Sequence, residues 1–273
     1  MCPEPRSLSE AMLEPGAILI ERDGAVGRIV LNRPDRINAI DDSIRQGLPE
    51  ALRTLDRDPD VRAIVLRGQG PRGFCAGADI REERPPETPV DAHRRMEFDS
   101  WIEAFERLST PTLAAIHGVC MGGGFEIALA CDIRLASADA CFALPETGLG
   151  LIPGAGGTQR LSRLIGIGPA LDLMLSNDRV DGAEAKRLNI VTRLFDTPQA
   201  LFEGADALAR QIAGKPPTAT AFVRKAAYAS GDLALRDGLA LERDLFSLLL
   251  TTEDRLEAAA AFREKRAPKF FAR

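Results

Sequence analysis

Apolar residues recur along the chain at strand spacing and at helix spacing in turn. Two β-rich runs within residues 17–32 flank Asp23-Gly24, a pair that tolerates the positive φ of a hairpin turn. A helical pattern follows at 41–56, and the apolar run at 61–68 is typical of a buried strand. The pattern therefore predicts a hairpin and then an alternation of helices and strands.

The alternation continues up to residue 197, and after residue 198 only helices are predicted. The predicted elements are a loop at 69–90, a helix at 91–108, a strand at 112–116, a helix opening at Gly122–Gly124, and strands at 132–137 and 141–144. Helical spacing alone follows at 198–213, 217–229, 233–250 and 252–265. We expect a loose arm at 1–16, an α/β core at 17–197 and a helical region at 198–273.

The last helices carry more apolar surface than one small bundle needs. An example is the stripe formed by Leu241, Leu245, Leu248 and Leu249. A subunit interface would cover such a stripe, and packing within the chain would do so equally well.

Composition excludes several classes of protein. The net charge of -5 has the wrong sign for a nucleic-acid-binding surface. Five Cys without a C-x-x-C pair argue against a disulfide framework, and four of them lie among core-like residues. Two His, at 93 and 117, are too few for a zinc site, so no metal is expected. Charges interrupt the richest apolar stretch, 112–144, and no signal-like segment is seen, so we expect a cytoplasmic protein without a membrane span.

The signatures of serine hydrolases, P-loop NTPases and Rossmann dehydrogenases are absent, and glycine-rich segments beside carboxylates remain. In GGGFEIALACD (122–132), three glycines lead into a helix whose N-terminal N–H groups favour an anion or oxyanion. The same glycines would also suit a plain tight turn, with Glu126 only offsetting the helix dipole. The motif alone leaves both interpretations open.

Two further segments strengthen the chemical interpretation. FCAGADI (74–80) offers another backbone N–H where the chain turns, and PETGLGLIPGAGGTQRL (145–161) places Glu146 before a long glycine-rich turn. An ionised Glu126 or Glu146 in apolar surroundings is costly without a purpose, and burial raises a carboxyl pKa toward the range useful in acid–base catalysis. Two such carboxylates beside backbone donors suit proton transfer next to a carbonyl.

Five ordered motifs resemble the crotonase superfamily, specifically the enoyl-CoA hydratases. They are LNRPDRINAI (31–40), FCAGADI, GGGFEIALACD, PETGLGLIPGAGGTQRL and FREKRAPKF (262–270). The resemblance covers about residues 17–270 and implies a crotonase-like spiral of ββα units. It also implies a C-terminal helical trimerisation region and a homotrimer or a homohexamer of two trimers.

The resemblance assigns roles to four residues. The backbone N–H groups of Ala78 and Gly123 would form an oxyanion hole for the thioester oxygen. Glu126 would activate water for attack at C3, and Glu146 would exchange the proton at C2. This chemistry needs no cofactor, because coenzyme A is part of the acyl-CoA substrate.

The resemblance also places coenzyme A along the turn at 76–80. Its adenine end would face backbone groups of Ala76, Asp79 and Ile80. The cations that could meet its phosphates are Arg36, Arg81, Lys265 and Lys269. Many relatives have Lys where Arg81 stands.

Alternatives to hydration stay open at this point. A Δ3,Δ2-enoyl-CoA isomerase would use mainly Glu146, and a carnitinyl-CoA-type dehydratase would run the same chemistry in reverse. A non-catalytic acyl-CoA-binding protein is disfavoured by the two retained glutamates. Phe98 and Trp101 could line the acyl pocket, but their spacing also fits a helix core.

Overall fold

The computed structural model describes residues 16–82, 86–98 and 100–271, except the side chains of residues 97 and 98. The predicted loose arm therefore lies almost wholly outside the described residues. The strands are β1 (Ile18–Asp23), β2 (Val26–Leu31), β3 (Ala63–Gly68), β4 (Gly73–Cys75), β5 (Thr112–Ile116), β6 (Val119–Met121), β7 (Ile133–Ser137), β8 (Cys141–Ala143), β9 (Val180–Asp181) and β10 (Arg193–Phe195). The α-helices are α1 (Asp42–Arg57), α2 (Pro89–Phe98), α3 (Gly123–Ala130), α4 (Gly157–Ile165), α5 (Ile167–Ser176), α6 (Gly182–Arg187), α7 (Pro198–Ala213), α8 (Pro217–Ala229), α9 (Leu235–Leu249) and α10 (Glu253–Glu264).

The strands form two sheets that the chain visits alternately. The larger sheet has the order β1-β2-β3-β5-β7-β10, and the smaller has the order β4-β6-β8-β9. Each of the pairs β3–β4, β5–β6 and β7–β8 gives one strand to each sheet and is followed by a helix. The α/β prediction is confirmed, and the repeat is the spiral of ββα units that the resemblance implies.

The larger sheet is covered on both faces, which explains its continuous apolar strands. In β3, Ile64 and Leu66 face the main core, which also contains the inner face of α1, while Val65 faces α7. The turn of the predicted hairpin is made at Gly24, whose φ is 59°, and β1 pairs antiparallel with β2. Side chains that alternate along one strand thus supply two separate apolar cores.

Asn38 is the polar centre of the connection between the two sheets. It is fully buried, and its Nδ2 donates to the carbonyls of Gln69, Gly73 and Phe74 at 3.0, 3.1 and 3.1 Å. Its Oδ1 accepts from the backbone N–H of Arg33 at 2.9 Å. One side chain therefore satisfies the carbonyls of the segment that leaves β3 and enters β4.

Some sequence predictions were wrong in detail. The helix predicted at 91–108 is α2 followed by a 3₁₀ turn, Trp101–Phe105, because Ser100 has a non-helical ψ of 79°. Strands β4, β6, β9 and β10 were missed, because runs of two or three residues rarely show a clear pattern, although the equally short β8 was predicted at 141–144. Among the predicted core cysteines, Cys75, Cys120 and Cys131 are buried, whereas Cys141 is partly exposed.

The four helices predicted after residue 198 are confirmed to within a few residues. Helix α8 is held to the core by Arg224, whose guanidinium donates to Asp132 and to the carbonyls of Phe105 and Leu108. Within the C-terminal helices the chain leaves apolar side chains exposed: Val223, Leu235, Leu239, Phe246, Leu248, Leu256 and Phe262. In the described part of the chain, no helix has the length and apolar character needed to cross a membrane.

We expect Asn38→Ala to lower the free energy of unfolding by roughly 2–3 kcal/mol, because it leaves buried carbonyls without their donor. Asn189→Ala is the matched control, since Asn189 is exposed and shares a left-handed φ, 60° against 56° for Asn38. Urea unfolding of both variants measures the difference. Equal losses would show that backbone strain alone explains the effect.

Candidate active site

Three segments that the sequence singles out follow three parallel strands of the smaller sheet. The turn at 76–80 follows β4, the glycines of α3 follow β6, and Glu146 lies shortly after β8. Because the carboxyl ends of parallel strands share one edge of a sheet, these segments converge there. This edge is the candidate active site.

Glu126, on the first turn of α3, is hydrogen-bonded by backbone groups at the N-terminal end of α4. The residue is only 3% exposed, and its Oε1 accepts from the backbone N–H groups of Ala155 and Gly157 at 2.7 and 2.8 Å. A Cβ on Gly157 would lie 3.0 Å from that oxygen, so only glycine allows this close approach. Two dipoles at the start of α4 thus fix one oxygen of the carboxylate.

Glu146 begins a 3₁₀ turn, Glu146–Leu149, and lies against the glycines that precede α3. Its Oε1 is 2.9 Å from the position that a Cβ on Gly122 would take. Its Oε2 is buried and has no hydrogen-bond partner within the described residues. A buried carboxyl oxygen without a partner is unfavourable for folding, which points to a role in chemistry.

The two carboxyl groups have different electrostatic surroundings. Burial raises the pKa of Glu126, but the N–H groups of Gly157 and Ala155 and the charge of Arg160 oppose that rise. Burial also raises the pKa of Glu146, and repulsion from Glu126 raises it further. More neighbouring groups therefore favour the anion of Glu126 than favour the anion of Glu146.

Two backbone N–H groups meet beside these carboxyl groups. In the described chain neither Ala78 N–H nor Gly123 N–H donates to a protein acceptor: the bridge to Ile40 uses the Gly77 carbonyl and the Asp79 N–H, and Gly123 is the first residue of α3. A Cβ on Gly123 would lie 3.9 Å from the nitrogen of Ala78. The pair can therefore bind one developing negative charge.

Gly77 permits this meeting of the turn and the helix. Its φ is 90°, and a Cβ would lie 2.8 Å from the carbonyl oxygen of Met121 and 3.3 Å from the nitrogen of Gly123. Any other residue would push the turn away from α3.

The turn at 76–80 is held by backbone bonds and by one arginine. Ala76 N–H donates to Ile37 at 2.9 Å, and the guanidinium of Arg33 contacts Asp79 Oδ2 at 3.0 Å and the carbonyl of Ala39. Sequence reasoning missed Arg33, although it lies inside the LNRPDRINAI motif.

The other predicted site residues are only partly brought together. Ala76 and Asp79 are half-buried in the turn, and Ile80, 84% exposed, and Arg81 project from it. Arg36 is exposed one residue before Ile37, to whose carbonyl the turn is bonded. No hydrogen bond or ion pair joins the exposed Lys265 and Lys269 to the turn in the described chain.

The structure describes only one of the two side chains predicted for the acyl pocket. Trp101 is half-buried and packs against the main core, as the helix-core interpretation expects. Phe98 ends α2, and its side chain lies outside the described residues. Among residues 16–82, 86–98 and 100–271, no group of three His, Cys, Asp or Glu side chains could hold a metal ion.

The chain is similar to known proteins in both sequence and fold. The model of the enoyl-CoA hydratase/isomerase family matches residues 21–273. A probable enoyl-CoA hydratase of Mycobacterium bovis is 41% identical over 93% of this chain and 97% of its own length. The short-chain-enoyl-CoA hydratase of Clostridium acetobutylicum is 35% identical over 93% and 97%. The crystal structure of an enoyl-CoA hydratase from Bacillus anthracis superposes with a TM-score of 0.88 at 35% identity, covering 94% of this chain and 100% of that one.

We expect Glu146→Gln to stabilise the fold in a pH-dependent manner. Below the pKa of an unfolded glutamate, the carboxyl is protonated in both states and the substitution changes little. As the pH rises through the raised folded-state pKa, the wild type loses stability that the amide keeps. Urea unfolding at about pH 4 and about pH 8 measures the gain. The exposed Glu242→Gln is the control, and an equal gain at both pH values would contradict the prediction.

Proposed function

The chain belongs to the enoyl-CoA hydratase/isomerase family, and we propose that the groups at the edge of its smaller sheet carry out the hydratase reaction. As an enoyl-CoA hydratase, a hydro-lyase, the protein reversibly adds water to a 2-trans-enoyl-CoA and forms a 3-hydroxyacyl-CoA. The observation that carries the proposal is the convergence of two buried, unlike carboxyl groups on a pair of free N–H donors.

Ala78 N–H and Gly123 N–H form the oxyanion hole. Attack at C3 moves the electrons of the double bond toward the thioester, and its oxygen gains the negative charge of an enolate. Two fixed dipoles stabilise that charge, and each such donor contributes about 2.7–4 kcal/mol to catalysis. The gain is large because the donors are already oriented before the reaction begins.

The two carboxyl groups divide the proton transfers. Glu126, held as an anion, takes a proton from water while the water oxygen bonds to C3. Glu146, holding a proton, gives it to C2 as the enolate collapses. The product gains one OH and one H, and a proton passing from Glu126 to Glu146 through solvent restores both groups. Burial raises the pKa of both groups, but two backbone N–H groups and Arg160 oppose the rise at Glu126, which supports its role as the base.

The hydrogen bonds that fix Glu126 favour hydration over isomerisation. A Δ3,Δ2-enoyl-CoA isomerase shuttles one proton and needs only the carboxyl of Glu146, so it has no use for a second, rigidly held base. A carnitinyl-CoA-type dehydratase would use the same groups in reverse. Two carboxyl groups buried at a cost to folding also disfavour a non-catalytic acyl-CoA-binding role.

Coenzyme A lies along the turn at 76–80, with its adenine end toward Ala76, Asp79 and Ile80. Support comes from the 84% exposure of the Ile80 side chain, which offers an apolar surface to a planar base. Arg36 and Arg81 are exposed on either side of the turn and are available to phosphates. The reaction uses no separate cofactor. Lys265 and Lys269 stay predicted phosphate contacts.

The protein assembles as a homotrimer or as a homohexamer of two trimers. The exposed apolar side chains of α8, α9 and α10 support this proposal, because a soluble monomer rarely leaves so many uncovered. The predicted stripe on α9 is divided: Leu245 is buried within the chain, whereas Leu248 is 60% exposed. A cytoplasmic location and a place in fatty acid β-oxidation stay predictions.

We expect Glu126→Gln and Glu146→Gln each to lower kcat for hydration by roughly 10²–10⁴-fold, because each removes one proton transfer. The loss of absorbance of the conjugated thioester measures the rate. Glu242→Gln on α9 is the control for removing one carboxylate. Near wild-type hydration by both site variants would overturn the mechanism, and Glu126→Gln assayed on a 3-enoyl-CoA would reveal a remaining isomerase.

We expect Gly77→Ala to lower kcat by roughly 10²–10³-fold, the cost of one oxyanion donor, because the new Cβ separates Ala78 from Gly123. Gly166→Ala is the matched control. The φ of Gly166 is 88°, close to the 90° of Gly77, but no atom lies within 4 Å of the added Cβ. The same absorbance assay measures both variants. A similar loss in both would attribute the effect to backbone strain and not to the oxyanion hole.

A further inference from the structure

Arg160, on the first turn of α4, spans the loop that holds Glu126. Its Nη1 donates to the carbonyl of Ala155 at 2.9 Å, and its backbone N–H donates to the carbonyl of Gly156 at 2.8 Å. A Cβ on Gly156 would overlap the guanidinium, so glycine is needed for the side chain to fold back over the loop. The φ of Gly156, 98°, excludes most other residues as well.

These bonds fix the peptide groups that face Glu126. The Gly156 carbonyl and the Gly157 N–H belong to one peptide plane, with Arg160 on one side and Glu126 Oε1 on the other. The guanidinium binds the Ala155 carbonyl, which lies in the peptide plane between Ala155 and Gly156, whereas the Ala155 N–H that binds Glu126 belongs to the plane before it. Because each peptide plane is rigid, the side chain holds the plane that lies between the two planes whose N–H groups bind Glu126.

Glu106 sets the orientation of the guanidinium from outside. It follows the 3₁₀ turn Trp101–Phe105, and its Oε1 lies 2.8 Å from Nη2 of Arg160. Glu106 is 65% exposed and Arg160 22%, so the ion pair itself adds little to stability. The ion pair instead orients the guanidinium so that Nη1 points to the carbonyl of Ala155.

We propose that Arg160 is a positioning residue for Glu126: through the Ala155 carbonyl, its guanidinium holds the loop that carries the two N–H donors and so keeps the carboxylate in position to activate water. The inference rests on the proposed function, because it assumes that Glu126 acts as the base.

The charges around Glu126 support this role. Arg160 is the positive group that lowers the pKa of Glu126, and Glu146 is the second carboxyl group that faces it across the site. Beneath α3 the Cys75 thiol, which burial holds at a pKa of about 12, stays neutral. Glu106 reaches the site only through Arg160. Burial is already the largest influence on Glu126, so losing the guanidinium would raise the pKa of this carboxyl further.

The test is Arg160→Met, measured as kcat, KM and the pH profile of kcat/KM on a 2-trans-enoyl-CoA. We expect kcat to fall by roughly 10²-fold, since a small displacement of a catalytic group has that effect, with KM nearly unchanged. The acid limb of the profile, which reports the ionisation of Glu126, should move to higher pH. Arg163→Met, on the exposed face of the same helix, is the matched control.

Two further variants keep the inference falsifiable if Arg160→Met does not fold. Arg160→Lys keeps the charge without the fork, so the acid limb should return toward its wild-type position while kcat recovers only in part. Glu106→Gln should move both quantities in the direction of Arg160→Met, to a smaller extent. An unmoved acid limb in every variant would overturn the inference, even where kcat falls. If Glu126→Gln retains hydration, the proposed function fails instead, whatever Arg160 does.

Discussion

The active site depends on burying two carboxyl groups close to each other without letting both carry the same charge. Repulsion between Glu126 and Glu146 and their separation from water act against two anions. The surroundings of the two groups are unequal: peptide N–H groups and a guanidinium lie around Glu126, whereas one oxygen of Glu146 has no hydrogen-bond partner in the described part of the chain. This inequality supports the proposed assignment of the base and the acid.

At two glycines, the backbone approaches a neighbouring group more closely than a residue with a side chain would. At Gly77 the turn approaches the first N–H of α3, and at Gly157 the start of α4 approaches Glu126. Both approaches are closer than a Cβ permits, so the donors come from backbone whose positions the fold fixes. Asn38 also helps to fix the position of the turn at 76–80, because it hydrogen-bonds the segment that connects β3 to β4 and leads into that turn.

Local sequence patterns predicted the parts of the molecule that are defined locally. The hairpin, α1 and the C-terminal helices have clear periodicity, and Glu126 and Glu146 stand out as carboxylates among glycines and apolar residues. Strands of three residues are too short for periodicity. The partners of Glu126 also escaped notice, because Ala155 and Gly157 carry no chemical signal of their own and meet it only across 29 and 31 positions of sequence. The break in the predicted helix at Ser100 was also missed, because no glycine or proline marks it in the sequence.

The ββα spiral separates the chemical roles along the chain. One turn supplies the Ala78 donor, the next supplies the Gly123 donor together with Glu126, and the third supplies Glu146, each at the end of its own strand. A change at the end of β8 can therefore alter Glu146, the proposed acid, while the two N–H donors stay intact. Such a scaffold can acquire new reactions on thioesters when the residues at one strand end are substituted. The groups that stabilise the shared intermediate are kept.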